Sequence, residues 1–449
     1  MSRIDIPQAP AGARSNEEQP LPNLTGRPTG VRWRVLALLV LASFVSYVLR
    51  SDISIAGPAL VADLGLTEQQ LGYVLAAFTA GYTIFQFPGG LFGVKLGPRR
   101  AMAIIMVLWG LLIMATAGVG SIAAGATTIV IALIAVRFLV GVAHAPIYPL
   151  TGAVVERWFP IGSWALPNGL SSTGLTLGFA AVAPLLAMLI TAYGWQTSFL
   201  LLAPLAFVGA AFWWAYVRDR PDDHPAANEA EAALIMADRP PVPDAQGSRP
   251  SWLRVLADRN VLLLTASYFC MNYIFALMFN WIFYYLSEVR EFDPQTAGFA
   301  TSVQWIAAAI GATLGGFVCD HLCRCHGMRR GCARPAMLAL VLSGVFLLIG
   351  AFSVNAYVAV GCMALSFLAN QVTEAAYWAA GIGIGGRNAG AACGVMNTGG
   401  NSAGFVNALL VPFTAAAFGW TAAIVTGAVF AFVAALLWLF IRADRTVPA

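Results

Sequence analysis

Apolar residues fall along this chain in runs of about 20 to 29, each long enough to cross a hydrocarbon core about 30 Å thick as a helix. The runs lie at about residues 33–57, 67–90, 100–120, 125–150, 165–191 and 196–217, then at 260–287, 296–318, 334–353, 356–384, 390–415 and 419–441. This pattern predicts an all-α membrane protein with twelve transmembrane helices. Between runs six and seven lies RDRPDDHPAANEAEAALIMADRPPVPDAQGSRPSWLRVLAD, residues 218–258, Pro-rich and charged, which reads as a cytoplasmic linker. It separates an N-terminal six-helix bundle, 33–217, from a C-terminal one, 259–442, with polar tails at 1–32 and 443–449. The first tail has no short apolar core ahead of a cleavage site, so it is expected to be disordered and not a signal peptide. The halves echo each other. GGLFGVKLGPRR (Gly89–Arg100) follows run two, and GGFVCDHLCRCHGMRR (Gly315–Arg330) follows run eight. Six plus six with an internal repeat suggests two bundles rocking about a midplane site.

Composition sharpens this reading. Of 449 residues 59% are hydrophobic and 10% charged, against about 25% charged in a soluble protein. Basic residues orient the chain, because cytoplasmic connections are enriched in them. Arg3, Arg14, Arg27, Arg32 and Arg34 precede run one; Lys95, Arg99 and Arg100 follow run two; Arg157 follows run four. The linker carries Arg218, Arg220, Arg239, Arg249 and Arg254, and Arg259 follows it directly. Arg324, Arg329, Arg330 and Arg334 follow run eight, Arg387 run ten, and Arg442 and Arg445 run twelve. Both termini are therefore expected in the cytoplasm. The net charge of +4 reflects this bias, and no nucleic-acid surface is implied.

Seven cysteines do not resemble an extracellular disulfide framework. Cys319, Cys323, Cys325 and Cys332 gather with His321 and His326 after run eight, but CxxxCxC is not a paired CxxC framework, and they read as reduced cytoplasmic thiols with no metal. No phosphate-cradling Walker sequence or GxSxG elbow occurs, which removes support for ATP-driven pumping or hydrolysis. The chain is expected to need no cofactor and not to be an enzyme.

Polar residues inside the runs mark the candidate site. Arg137 and His144 are seven apart, about two helical turns or roughly 10 Å, so they share a face that Tyr148 extends. An ionisable group within a bilayer costs about 2.5 to 3.5 kcal/mol and usually faces water or a partner. Tyr47 and Arg50, at i and i+3, stack on one face of run one. Arginine suits bidentate carboxylate recognition, and two intramembrane cations with few acids favour an anionic ligand. The alternatives are a headgroup anchor for Arg50 and a strut paired with a carboxylate or helix carbonyls for Arg137. Glu374 sits in FLANQVTEAAYWAAG beside Asn370, Gln371 and Thr373; it either titrates or counters an arginine such as Arg137. Tyr82 with Gln86, Tyr273 with Asn280, Trp378 one turn after Glu374, and Asn397 with Asn401 could orient a polar ligand in an apolar cleft. Interhelical hydrogen bonding is their other reading.

Several motifs carry a family likeness: YVLRSDISIAGPAL (Tyr47–Leu60), LGLTEQQLGYVLAAFTAGYTIFQFPGG (Leu64–Gly90), RFLVGVAHAPIYP (Arg137–Pro149), ERWFP (Glu156–Pro160), YFCMNYIFALMFNWIFYYL (Tyr268–Leu286) and GVMNTGGNSAG (Gly394–Gly404). Through them the chain resembles the major facilitator superfamily, in particular its anion:cation symporter family, which carries hexonates, hexuronates and other carboxylates. The resemblance implies a bacterial inner-membrane importer of a small organic anion, working as a monomer by proton symport and alternating access. It puts Tyr47, Arg50, Tyr82, Arg137, Trp378 and Asn397 in a central cavity, to which Tyr273 is added as a substrate contact.

The chain also departs from that pattern. Proton-coupled relatives commonly have an aspartate where Leu49 stands and a glutamate where His144 stands. Histidine, with an unperturbed pKa of about 6.5, can still carry protons, or it can be a neutral imidazole bonded to substrate or a neighbouring helix. Glu374 and Asp52 are the acids able to take over the role, Asp52 being otherwise an exposed helix-end acid. Val94 replaces the acid usual in the loop after run two, whereas Asp320 keeps it in the second half. An exporter or a uniporter of the same fold, and a receptor that binds without transporting, are the competing readings. Run five lacks the glycine-proline signature of drug antiporters, and the linker holds no recognisable output domain.

Overall fold

The computed structural model describes residues 27–119, 125–160, 163–236 and 252–446. The expected tail up to residue 26, the middle of the linker (237–251) and the last three residues lie outside the described residues. Within them the regular structure is helical: α1 Val31–Arg50, α2 Asp52–Leu64, α3 Glu68–Leu96, α4 Pro98–Val119, α5 Ala126–His144, α6 Ile147–Trp158, α7 Ala165–Tyr216, α8 Glu229–Met236, α9 Trp252–Ala257, α10 Arg259–Asn280, α11 Ile282–Tyr284, α12 Pro294–Phe352, α13 Ala356–Val372, α14 Glu374–Gly385 and α15 Ala389–Leu437. Eight helical stretches are long and apolar enough to cross a membrane.

Helices α7, α12 and α15 contain 52, 59 and 49 residues. Straight, they would reach roughly 74 to 89 Å, more than twice a hydrocarbon core of about 30 Å. Each is interrupted by one glycine outside helical geometry: Gly194 (φ 77°, ψ 165°), Gly327 (φ 78°, ψ 165°) and Gly419 (φ 85°, ψ 163°). Gly97, between α3 and α4, has nearly the same backbone (φ 79°, ψ 149°). Only glycine takes up such a conformation without strain. Gly97 and Gly194 therefore punctuate the first half as Gly327 and Gly419 punctuate the second, and the weak sequence echo becomes a repeat of backbone geometry.

A second periodicity is an interruption in every third apolar run. The chain breaks at Ser51 between α1 and α2, at Ala145 and Pro146 between α5 and α6, at Trp281 between α10 and α11, and at Thr373 between α13 and α14. Apolar patterning reads each of these runs as one span; the structure divides each into two helices. At one of them the cause is local: Pro146 lacks the N–H that would continue the ladder. At Ser51 and Thr373 the break residue's hydroxyl is satisfied locally, Ser51 Oγ donating to the Tyr47 carbonyl at 2.5 Å and Thr373 Oγ1 to the Asn370 carbonyl at 2.7 Å, a bond that also occurs within the unbroken helices, as at Thr265 and Thr414.

In the first half α1 and α4 pack on α7, and α3 on α5; in the second α10 packs on α15 and α12 on α13. The halves meet along α7 with α12 and α3 with α15. Where α3 crosses α5 the backbones touch: a Cβ at Gly141 would run into the Phe78 carbonyl, a close approach that small residues permit. The linker is more structured than its composition suggests. Glu231 of α8 is fully buried, accepts the backbone N–H groups of Gly30 (2.9 Å) and Arg32 (3.2 Å), and pairs with Arg32 Nη1 at 3.1 Å. It thus satisfies the first donors of α1.

The crossing yields a test. Gly141→Val should cost about 1 to 3 kcal/mol or more through overpacking, read as a lower melting temperature of the purified protein in detergent. Gly316→Ala, where an added Cβ meets nothing within 4 Å, should leave it unchanged.

Candidate functional site

The breaks bring the intramembrane polar residues together. Arg50 and Asp52 flank the break at Ser51, His144 ends α5, Asn280 ends α10 and Glu374 begins α14. A cavity of about 30 Å³ lies between the halves, lined by Arg50, by Phe78, Thr79 and Tyr82 of α3, by Asn272, Phe275, Ala276, Phe279 and Asn280 of α10, and by Asn401 and Gly404 of α15. That is room for roughly two waters. A larger concavity of about 640 Å³, lined by residues such as Ala76, Phe138 and Leu409, offers almost no polar surface.

Arg50 is the cation of the central cavity. Its Cζ lies 4.7 Å from the Tyr82 ring centroid, 5.0 Å from those of Phe78 and Phe279, and 5.2 Å from that of Tyr47. Its Nε is buried without a hydrogen-bond partner. Among the described residues it makes no ion pair, so its charge rests on aromatic faces, which attract a cation. Tyr47 joins this wall and meets Tyr148 hydroxyl to hydroxyl at 3.2 Å.

Arg137 is placed otherwise. Its Nη2 donates to Asp52 Oδ1 at 2.9 Å and its Nη1 reaches Oδ2 at 3.4 Å, with both side chains fully buried. The second of the two arginines is thus held by a carboxylate and is not among the cavity-lining residues. Asp52, taken from sequence as an exposed helix-end acid or a proton site, is completely buried, and its carboxylate also accepts the Ile53 N–H at 2.6 Å.

His144 is fully buried. Its Nδ1 lies 2.9 Å from the Val140 carbonyl oxygen, and the ring stacks on Trp109 at 4.6 Å and stands edge-on to Phe78 at 5.8 Å. Phe78 therefore touches Arg50, Arg137, His144 and Tyr82 at once. In the other half Glu374 Oε1 accepts the Tyr268 hydroxyl at 2.9 Å and the Trp378 indole N–H at 2.7 Å. Its partners are neutral, not the arginine that sequence offered as one option.

The remaining candidates divide. Tyr82, Asn280 and Asn401 line the cavity, and Asn397 borders it, donating to Gln86 across the halves at 3.5 Å and bonded to Asn401 at 3.1 Å. Tyr273 faces away from it, bonded to Thr426 at 2.9 Å and stacked on Phe430 at 4.1 Å. Sequence reasoning passed over Phe78, Phe279 and Asn272. The signal for Phe78 was its place four residues before Tyr82 and eight before Gln86, on one face of α3; Phe279 and Asn272 look like ordinary members of an aromatic helix.

These features define a helical membrane carrier: two repeated halves, interrupted helices at their centre, and an unpaired cation facing a small chamber between them. The chain belongs to the Major Facilitator Superfamily, whose family model matches residues 39–407. Among its relatives is "Probable sulfoacetate transporter SauU" of Cupriavidus necator, 29% identical over 378 residues, covering 84% of this chain and 85% of that protein. The hexuronate transporter of Bacillus subtilis is 29% identical over 384 residues, covering 84% and 87%. The D-galactonate transporter of Escherichia coli O6:H1 is 26% identical over 436 residues, covering 94% and 98%. The fold is shared with an inward-facing bacterial homologue of the human lysosomal transporter Spinster, TM-score 0.72 at 15% identity, covering 94% and 99%. It is also shared with a D-xylose-proton symporter, TM-score 0.72 at 13% identity, covering 92% and 98%.

The buried pair makes a prediction. Removing one partner of such a pair costs about 3 to 5 kcal/mol because the other charge is stranded. Asp52→Asn should therefore lower the melting temperature strongly, and the double variant Asp52→Asn with Arg137→Gln should recover part of the loss.

Proposed function

We propose that this protein is a secondary transporter that imports a small organic anion, a carboxylate or a related sugar or sulfonic acid, and that Arg50 receives the anion. The observation that carries this reading is the Arg50 guanidinium, facing the chamber between the halves with a buried Nε unpartnered and no counter-carboxylate. Asp52 neutralises Arg137, which leaves one uncompensated positive charge to attract one negative group. The names of the relatives, transporters of sulfoacetate, hexuronate and galactonate, agree with that chemistry. Tyr47, Tyr82, Asn280, Asn397 and Asn401 would supply the hydroxyl and amide groups that orient the rest of the solute.

In this reading there are twelve spans, counted as two each in α7, α12 and α15, one in α3 and α4, and one in each of the four broken pairs. In the same reading the protein is a monomer in a bacterial inner membrane with both termini cytoplasmic, an orientation that the basic connections support. The halves hold each other most closely at the opposite, outer end, where the Tyr284 hydroxyl donates to Glu68 at 3.1 Å and Ser302 Oγ to the Ala180 carbonyl at 2.5 Å. Nearer the cytoplasmic end the cross-half bond from Asn397 to Gln86 is a long 3.5 Å. This asymmetry supports an inward-facing state in which the chamber is nearly collapsed and must widen to admit solute.

Proton symport needs a group that changes charge within the cycle. Glu374, His144 and Asp52 each stand at a helix break. Glu374 is the candidate we favour, because its partners are neutral hydroxyl and indole groups, whereas Asp52 is tied to Arg137 and His144 is enclosed by Trp109 and Phe78.

Proteoliposome uptake over a panel of carboxylates and sulfonates tests the substrate assignment. Arg50→Lys and Arg50→Gln should each reduce uptake at least tenfold while the protein stays folded; unchanged flux would remove Arg50 from the site. Glu374→Gln should abolish accumulation driven by a pH gradient and keep solute counterflow. If it still accumulates solute against a gradient, protons are carried elsewhere, and the same assay on Asp52→Asn and His144→Gln identifies where.

A further inference from the structure

The helical reversal at Gly327 gathers four sulfur atoms. Cys319 and Cys323 lie on the arm of α12 before it, Met328 and Cys332 on the arm after it. Cys323 Sγ is 3.6 Å from Cys332 Sγ and 3.9 Å from Cys319 Sγ, and the three thiol sulfurs all lie within 4.8 Å of one another. Met328 Sδ closes the group at 3.8 Å from Cys332 Sγ and 4.0 Å from Cys323 Sγ. Three sulfurs about a metal at about 2.3 Å stand about 3.8 to 4.0 Å apart in tetrahedral or trigonal arrangement; the four contacts at 3.6 to 4.0 Å lie near that range, and Cys319 and Cys332 Sγ are within 4.8 Å of each other. Gly331 permits the approach, since a Cβ there would stand 2.5 Å from the Cys323 Cα and 2.7 Å from its Sγ.

We propose that this turn is a binding site for a soft monovalent metal ion, Cu(I), held by the thiolates of Cys319, Cys323 and Cys332 with the Met328 thioether as a fourth donor. The donor set selects the ion: thiolate with thioether, and no carboxylate or imidazole in the group, suits Cu(I) above harder divalent ions. Cys319 and Cys332 are 3% and 0% exposed, which shields the ion from water, while Cys323 is partly exposed and opens the site toward the turn. Binding exchanges three thiol protons for the cuprous ion with no change in oxidation state. Arg324, Arg329 and Arg330 are exposed on the same turn. CxxxCxC alone misses this site, because Cys325 points away toward His321, 3.8 Å from its Nε2, and the third thiolate comes from beyond the reversal. The bound ion would clamp the two arms of α12 together.

The test uses the full-length protein purified in detergent, reduced and anaerobic, titrated with Cu(I) against a chromophoric cuprous chelator. One Cu(I) per chain is expected, with a sulfur-only X-ray absorption shell at about 2.3 Å and a higher melting temperature on loading. Cys319→Ser and Cys332→Ser should each weaken retention at least tenfold and abolish the thermal shift, while Cys325→Ser and Cys362→Ser behave as the unsubstituted protein. Should Cys332→Ser fail to fold, Cys323→Ser and Met328→Leu on the more exposed side carry the same comparison. Equal copper retention by Cys319→Ser and the unsubstituted protein, nitrogen or oxygen in the shell, tighter binding of Zn(II), or an isolated protein in which Cys323 and Cys332 are already disulfide-bonded would overturn the proposal.

Discussion

The pairing of Asp52 with Arg137 is the interaction on which the electrostatics of the centre depend. Each group alone would be a costly charge inside an apolar bundle; together, at 2.9 Å and fully enclosed, they cancel. Two consequences follow from that cancellation. α5 is tied to the break between α1 and α2, so the short helix α2 is anchored where its hydrogen-bond ladder is interrupted. The neighbouring Arg50, two residues away, is left as the uncompensated charge of the chamber. Neutralising Arg137 leaves Arg50 as the chamber's arginine without a counter-carboxylate among the described residues.

The interruptions explain how so many polar groups can sit at the middle of a membrane protein. A continuous helix satisfies its own backbone and offers only side chains; a broken one frees carbonyls and N–H groups that must find partners. At Ser51 and Thr373 the break residue's own hydroxyl and backbone N–H both donate to a carbonyl of the preceding turn, and at each of the four breaks a charged or polar side chain stands within a few residues. Because the breaks recur in every third apolar run, they converge when the two halves pack together. The reversals at Gly97, Gly194, Gly327 and Gly419 serve the same repeat from the ends of the helices.

Aromatic side chains set the character of the chamber. Phe78 lies against Arg50, Arg137, His144 and Tyr82, so one ring couples the chamber-facing cation, the neutral pair and the imidazole. Tyr47, Phe279 and Trp305 continue the wall toward the second half. Such a lining solvates a guanidinium through ring faces while excluding water, which strengthens any interaction with a negative group that enters. A motion that opens the halves would alter this wall and with it the field at Arg50.

What the sequence determined by itself was the coarse architecture: apolar runs, whose length bilayer thickness dictates, become membrane-crossing helices, and the rule that polar residues in such runs turn inward picks out Tyr47, Arg50, Tyr82 and Asn401. The tertiary structure decided the partnerships. Arg137 and Asp52 are 85 residues apart, Cys332 reaches Cys323 only across a reversal, and Glu374 meets Tyr268 from another helix; periodicity reports which face a residue occupies and not what stands opposite. The breaks at Ser51 and Thr373 were equally hidden, because serine and threonine inside an apolar run fit a helix as well as its end until neighbouring helices select one. Folding in three dimensions chose which of two arginines keeps its charge available, since that depends on which of them a distant carboxylate can reach.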